Sequence, residues 1–223
     1  MAIILCIETS TRNCSVCLFD SNKIISFKEN LSEKYSHSEM LTVLIKSMLE
    51  EKKVSINDLD AIAVSKGPGS YTGLRIGVST AKGLCYGLNI PLISISTLHA
   101  MAYQGINLVK SNYYCPMIDA RRLEVYAAVF DSKANLVRDI QADIVDEVTY
   151  SLFLDKKVVF FGDGSSKCKS LINHKNAIFL DGIYPSAKNM GAIAFNSFIS
   201  KDYEDLAYFE PFYLKDFIAG KKP

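Results

Sequence analysis

At 223 residues the chain is long enough for one substantial core or two small ones. Its 25 Lys and Arg against 24 Asp and Glu leave a formal net charge of +1, which excludes the dense basic surface that independent nucleic-acid binding needs. No apolar run is long enough to span a bilayer. The Met1-Ala2-Ile3-Ile4-Leu5 start lacks a charged leader, and Glu8 and Arg12 interrupt it early, so a cytoplasmic protein is expected.

In chain order, residues 3–7, 14–19 and 23–28 read as three strands joined by tight turns such as Asp20-Ser21-Asn22. A helix follows over 37–52, with Ser36 as its expected N-cap and Glu39 completing a capping box. Its apolar residues Met40, Leu41, Val43, Leu44, Ile45, Met48 and Leu49 sweep about 240° of the wheel, against about 100° for a surface helix. Such a helix is either deeply buried or carries a second apolar face that meets another protein, and the second reading is preferred.

A strand at 60–65 runs into the most distinctive stretch, Ser65-Lys66-Gly67-Pro68-Gly69-Ser70-Tyr71-Thr72-Gly73-Leu74-Arg75-Ile76-Gly77, which opens a helix reaching about residue 88. Glycines at a helix start suit either an anion site or close packing. The loop is no Walker motif, because Leu74 and Arg75 follow Gly73 where Lys and Ser or Thr are required. Nor does it have dinucleotide spacing. The helix itself has an apolar face of Leu74, Val78, Ala81, Leu84, Cys85 and Leu88 and an opposite face of Ile76, Thr80, Gly83 and Gly87. Its only charges are Arg75 and Lys82. Glycine inside a helix costs about 1 kcal/mol relative to alanine, so four of them predict burial on two sides, with another backbone approaching the glycine groove.

A strand at 92–95 and a helix over 97–109 close the first half. The second half restarts: strands at 114–118, 124–130 and 136–144, a short helix near 147–154, a strand at 158–161, the turn Gly162-Asp163-Gly164 and another helix. A strand at 177–180 and a helix over 187–200 follow. Each half thus reads βββαβαβα, which predicts an α/β fold with a mixed sheet flanked by helices built twice, divided as 1–108 and 109–223. The six cysteines are scattered, and Cys14 and Cys17 point to opposite faces of one strand, so all are expected to be reduced and mostly buried. His37, His99 and His174 are too dispersed for a catalytic triad. Lys215, Lys221 and Lys222 read as a solvated tail.

The duplicated order resembles the acetate and sugar kinase, Hsp70 and actin superfamily, whose domains are of the actin-like ATPase, ribonuclease H-like type. The motifs Ile7-Glu8-Thr9-Ser10-Thr11, His37-Ser38-Glu39, the 67–77 loop, Ile118-Asp119-Ala120-Arg121-Arg122-Leu123-Glu124-Val125-Tyr126 and Pro211-Phe212-Tyr213-Leu214 together resemble the TsaB (YeaZ) family. The resemblance covers essentially the whole chain, is strongest over 67–82 and is thin over 145–205.

It implies a non-catalytic subunit for threonylcarbamoylation of adenosine 37 in tRNA. The subunit would bind and activate a catalytic paralogue of the TsaD type, as part of a complex served by a TsaE-type ATPase and a separate threonylcarbamoyl-adenylate synthase. The paralogue carries two metal-binding histidines one helical turn apart. Here His37 is followed four positions on by Leu41, so no metal and no cofactor is expected.

The expected contact residues are His37, Met40, Leu41, Leu44, Ile45, Met48, Ile76, Thr80, Gly83 and Gly87, in a four-helix contact. Without the partner, the same face is expected to make a homodimer. tRNA is expected only as a ligand of the complex. Glu8, Thr9, Ser10, Gly67 and Gly69 form a candidate vestigial phosphate loop. Asp119, Arg121 and Glu124 read as an ion-paired cluster at a strand turn. The alternative function is an ATP-dependent small-molecule phosphotransferase using Glu8, Thr9, Ser10 and the glycine loop. A peptidase would need a metal, or a nucleophile and base, that these residues do not supply.

Overall fold

The computed structural model describes residues 2–21, 23–32 and 36–215, so Lys221 and Lys222 lie outside the described residues. The first half contains β1 (Ile3–Glu8), β2 (Asn13–Asp20), β3 (Lys23–Leu31), α1 (His37–Lys52), β4 (Ala61–Gly67), α2 (Tyr71–Leu88), β5 (Leu92–Ser96) and α3 (Thr97–Leu108). The second contains β6 (Tyr113–Asp119), β7 (Glu124–Asp131), β8 (Leu136–Ile144), β9 (Val158–Phe161), β10 (Ala177–Leu180) and α4 (Gly191–Ser200). The sheets run β3-β2-β1-β4-β5 and β10-β9-β6-β7-β8. Read from β8, the second order repeats the first: an antiparallel meander whose first strand pairs in parallel with the strand after the crossover, β1 with β4 and β6 with β9. This is the duplicated α/β architecture expected from the sequence.

The second copy is reduced. The helix expected over 147–154 is a single 3-10 turn at Ser151–Phe153, and the one after Gly164 is a turn at Ser166–Cys168. Before the first of these, the Asp146 carboxylate accepts from the N–H groups of Val148 and Thr149 at 3.0 and 2.8 Å, a local bonding pattern that competes with helix formation. The closing helix also splits, into a turn at Ala187–Asn189 and α4.

Apolar layers cover both faces of each sheet. Leu5, Ile7, Val16, Leu18, Ile62 and Val64 face α1 and α2, while Ile4, Cys6, Cys17, Ala61 and Ala63 face the other way, onto Ala187, Met190 and Ala194. α3 lies between the sheets, with Ala100 in the first sheet's layer and Leu98, Met101 and Ala102 against Tyr114, Ile118 and Phe161 of the second. Residues of 187–209 pack on the first sheet, while Lys215 returns to Glu124 of β7. All six cysteines are buried, with Cys14 and Cys17 on opposite faces of β2. Among the described residues no helix is long and apolar enough to cross a membrane.

Helix starts depart from expectation in one place. Ser36 precedes α1 but makes no side-chain cap, because its backbone is not extended and its Oγ accepts instead from Asn30 Nδ2 at 3.2 Å. Ser70 and Ser96 do cap α2 and α3, accepting from the N–H groups of Gly73 and His99.

Candidate interaction face and the loops behind it

β1 and β4 end side by side, and the loops that follow them close on each other. Gly67 ends β4 at φ +110°, where a Cβ would lie 2.7 Å from the Phe212 carbonyl oxygen. The Ser70 N–H donates to the Ser10 carbonyl at 2.6 Å. Gly69 sits where a Cβ would be 2.6 Å from Ser10 Cβ, and the Thr9 hydroxyl donates to the Gly73 carbonyl at 2.8 Å. Gly73 and Gly77, one turn apart on α2, give Thr9 the room to lie against the helix. Glu8 is fully buried; its Oε1 accepts from the Ser10 N–H at 2.6 Å and from the Ser65 hydroxyl at 2.9 Å, and burial pushes its carboxyl above the ordinary carboxylate range.

The candidate phosphate-loop residues Glu8, Thr9, Ser10, Gly67 and Gly69 thus pack on one another. A phosphate placed between them would face the carbonyl oxygens of Thr9, Ser10 and Gly73 and the Glu8 carboxyl, a set of acceptors. Of the two readings left open by the glycines, close packing fits this geometry.

His37 belongs to the same closure. It begins α1 buried, with Nε2 2.7 Å from the Thr11 carbonyl oxygen, and burial lowers its pKa. The position four residues on, Leu41, is core. Of the residues expected on the contact face, His37, Leu41, Leu44, Ile45 and Met48 are buried, the last four in one layer with Leu5, Ile7 and Val16, and Ile45 also walls the groove between α1 and α2. The wide apolar sweep of α1 serves the chain's own sheet and α2, because the helix is overlaid by neighbours on more than one side.

What remains at the surface is narrower. Met40 is half-buried and Val43 is 53% exposed on α1. On α2, Ile76 and Thr80 are half-buried, and Gly83 and Gly87 are exposed with nothing within 4 Å of where a Cβ would stand. Between the helices runs a groove of ≈ 630 Å³ lined by residues including Thr42, Ile45, Leu49, Ile56, Thr80 and Leu84. The four helical glycines therefore divide. Gly73 and Gly77 accommodate this chain's own Thr9, and Gly83 and Gly87 accommodate nothing within it.

The two charges of α2 have a role that the sequence did not reveal. Arg75 Nε donates to Tyr213 Oη at 3.1 Å, its guanidinium lies 4.3 Å from the Tyr71 ring centroid, and Lys82 Nζ donates to the carbonyls of Ala207 and Phe209 at 3.2 and 2.9 Å. Together with the Phe212 N–H on the Lys66 carbonyl (2.7 Å), they strap residues 207–213 across the first half. The only signal for this strap was the Pro211-Phe212-Tyr213-Leu214 run.

At the second half's first turn the ion pairs are made by lysines. Asp119 pairs with Lys167 and Glu124 with Lys215, while Arg121 contributes its backbone, its N–H donating to Asp119 Oδ1 at 2.9 Å and its carbonyl accepting from the Glu124 N–H at 3.1 Å. Among the described residues no group of three or more His, Cys, Asp or Glu is arranged to hold a metal ion.

Residues 30–221 match the family model for TsaD, tRNA N6-adenosine threonylcarbamoyltransferase. The chain is 30% identical to the tRNA threonylcarbamoyladenosine biosynthesis protein TsaB of Escherichia coli (strain K12), over 98% of this chain and 97% of that protein. It is 32% identical to the protein of the same name from Bacillus subtilis (strain 168), over 76% of this chain and 74% of that one. In structure it is similar to YeaZ from Pseudomonas aeruginosa, with a TM-score of 0.86 at 23% identity, covering 96% of this chain and 100% of that one.

Proposed function

The chain belongs to the TsaB (YeaZ) family, whose named members are tRNA threonylcarbamoyladenosine biosynthesis proteins, and from that premise we propose that it is a non-catalytic subunit which binds and activates a TsaD-type transferase. The observation that carries this reading is the uncovered Gly83 and Gly87 pair beside the α1–α2 groove. A helix tolerates glycine's cost of about 1 kcal/mol at such positions when another backbone packs there. The match of 30–221 to the transferase's own family model supports a partner of the same fold, offering an equivalent pair of helices. The closed packing of the 8–12 and 67–77 loops supports a scaffold role over the phosphotransferase alternative.

The face involved is Met40, Val43, Ile76, Thr80, Gly83 and Gly87 with the groove walls, and in the absence of the transferase it joins two copies of this chain. tRNA and a TsaE-type ATPase engage the assembled complex. The test is threonylcarbamoyladenosine formation on tRNA in a purified reconstitution with and without this chain. Modification that needs the chain, with none from the chain in the transferase's absence, supports the reading. Unchanged modification on omission overturns it.

A further inference from the structure

The turn between β6 and β7 places two consecutive arginines, Arg121 at φ +70° and Arg122 at φ +47°, in the left-handed region. Side chains other than Gly, Asn and Asp avoid that region, and residues held there by their surroundings concentrate at functional sites. The surroundings here are specific. Lys167 Nζ sits inside the turn, donating to the Arg122 and Glu124 carbonyls at 2.9 and 2.7 Å and pairing with Asp119. Asp119 is fixed further by its N–H, which donates to Asp163 Oδ1 at 3.0 Å, and Arg121's N–H returns to Asp119 Oδ1.

Two of the three carboxylates around the turn are matched to lysines, Asp119 to Lys167 and Glu124 to Lys215, while the third, Asp163, accepts from the Asp119 N–H. Among the described residues neither Arg121 nor Arg122 has an ion-pair partner, and both are exposed. The turn holds its backbone with lysines and presents two guanidinium groups to solvent in surplus, on a chain whose overall charge is near zero. Planar guanidinium groups match phosphate oxygens bidentately.

We propose that the 119–124 turn is a phosphate-backbone contact for RNA, with Arg121 and Arg122 as the binding residues and Lys167 as the residue that positions them. The proposal rests on the scaffold reading above and locates where the chain meets the complex's tRNA. Two phosphate contacts are a supplement to binding by the complex, in keeping with the chain's near-neutral charge.

The experiment measures tRNA binding and threonylcarbamoylation by the reconstituted complex carrying Arg121→Gly/Arg122→Gly. Glycine removes both guanidinium groups and relieves the left-handed backbone. The melting temperature should be unchanged or raised while tRNA affinity falls, about tenfold at low salt, and the slope of log K against log salt should flatten by about 1.4 to 1.8 for two lost contacts. The tRNA KM rises and kcat at saturating tRNA is retained. Arg121→Lys/Arg122→Lys should restore most of the salt slope. Lys167→Met, which keeps both arginines but frees the turn, should also raise KM.

Wild-type affinity and salt slope in the glycine variant would overturn the proposal. So would loss of pairing with the transferase at unchanged tRNA affinity, since the turn would then be a protein contact. If the complex threonylcarbamoylates equally well without this chain, it is the scaffold reading that fails. If it needs the chain yet ignores the arginines, this inference alone fails.

Discussion

The Thr9 hydroxyl donates to the Gly73 carbonyl at 2.8 Å, tying the loop after the first strand to the first turn of α2 across 64 residues of sequence. Gly73 and Gly77 exist on that helix because Thr9 occupies the space where their side chains would be. Gly83 and Gly87 repeat the spacing nearly three turns on with no such occupant.

The two pairs should respond oppositely to alanine. Gly83→Ala and Gly87→Ala should each stabilise the isolated chain by about 0.5–1 kcal/mol, through helix propensity and lost chain entropy in the unfolded state. Both should weaken pairing with the transferase. Gly73→Ala or Gly77→Ala should destabilise the chain, because backbone or Thr9 must move. Urea denaturation and a pairing titration read the two effects separately. A Gly83→Ala chain that is more stable and pairs as tightly as wild type would remove the glycine contact from the interface.

A charge at the surface groove should separate pairing from folding. Thr80→Arg is expected to abolish co-elution with the transferase and homodimer formation while leaving the melting temperature within a few degrees of wild type. Ile45→Asp is a different experiment. Ile45 is 5% exposed and belongs to the core, so an unpaired buried carboxylate there should unfold the first half. Retained pairing in a folded Thr80→Arg chain would rule out the groove.

Two buried groups, Glu8 and His37, and the half-buried His99 set opposing pH slopes. Glu8's carboxyl is raised above 4.5, so above that pH the folded chain holds a proton that the unfolded chain has lost, and its contribution fades as pH rises through the folded value. Glu8→Gln should therefore be at least as stable as wild type at pH 7, with its advantage shrinking toward pH 4.5. His37 and His99 are lowered from 6.5 by burial, so the unfolded chain binds the extra protons just below 6.5 and stability falls on acidification through that window. Urea midpoints between pH 4.5 and 8 for wild type and Glu8→Gln check both signs.

The second sheet has one concentrated polar dependence. Asp143, 7% exposed, accepts two bonds from Arg138 at 2.7 and 2.8 Å and one from the Tyr150 hydroxyl at 2.7 Å. Removing it leaves a largely buried guanidinium and a buried phenol without their partner. Asp143→Ala should cost about 3–5 kcal/mol, seen as a lower urea midpoint, while the folded fraction still pairs through the first half. A variant within 1 kcal/mol of wild type would show that water takes over the bonds.

The order of elements along the chain, the two long helices α1 and α2 and the duplication were legible because alternation and helical periodicity act locally. β1, β2, β4, α1 and α2 all lie within a few residues of their predicted bounds. The reduced helices of the second half were not legible, since the Asp146 bonds that pre-empt one of them depend on side-chain geometry at a turn. The burial of most apolar residues of α1 was not legible, for a physical reason. A wheel counts apolar residues but does not show how many neighbours a helix has inside its own chain, so Leu41 and Met48 looked available when they are core. The Lys167 clamp joins residues more than 40 positions apart, and no local pattern announces it.

Phe209 and Leu206 complete the layer beneath α1 and α2, and Ala194 and Met190 cover the opposite face of the same sheet. The first sheet is thus covered on both faces by residues far downstream in sequence. Without residues 190–209 the first sheet's two apolar layers would each lose part of their cover. A chain lacking residues from 190 on would keep its candidate partner helices but lack the layers that seat them.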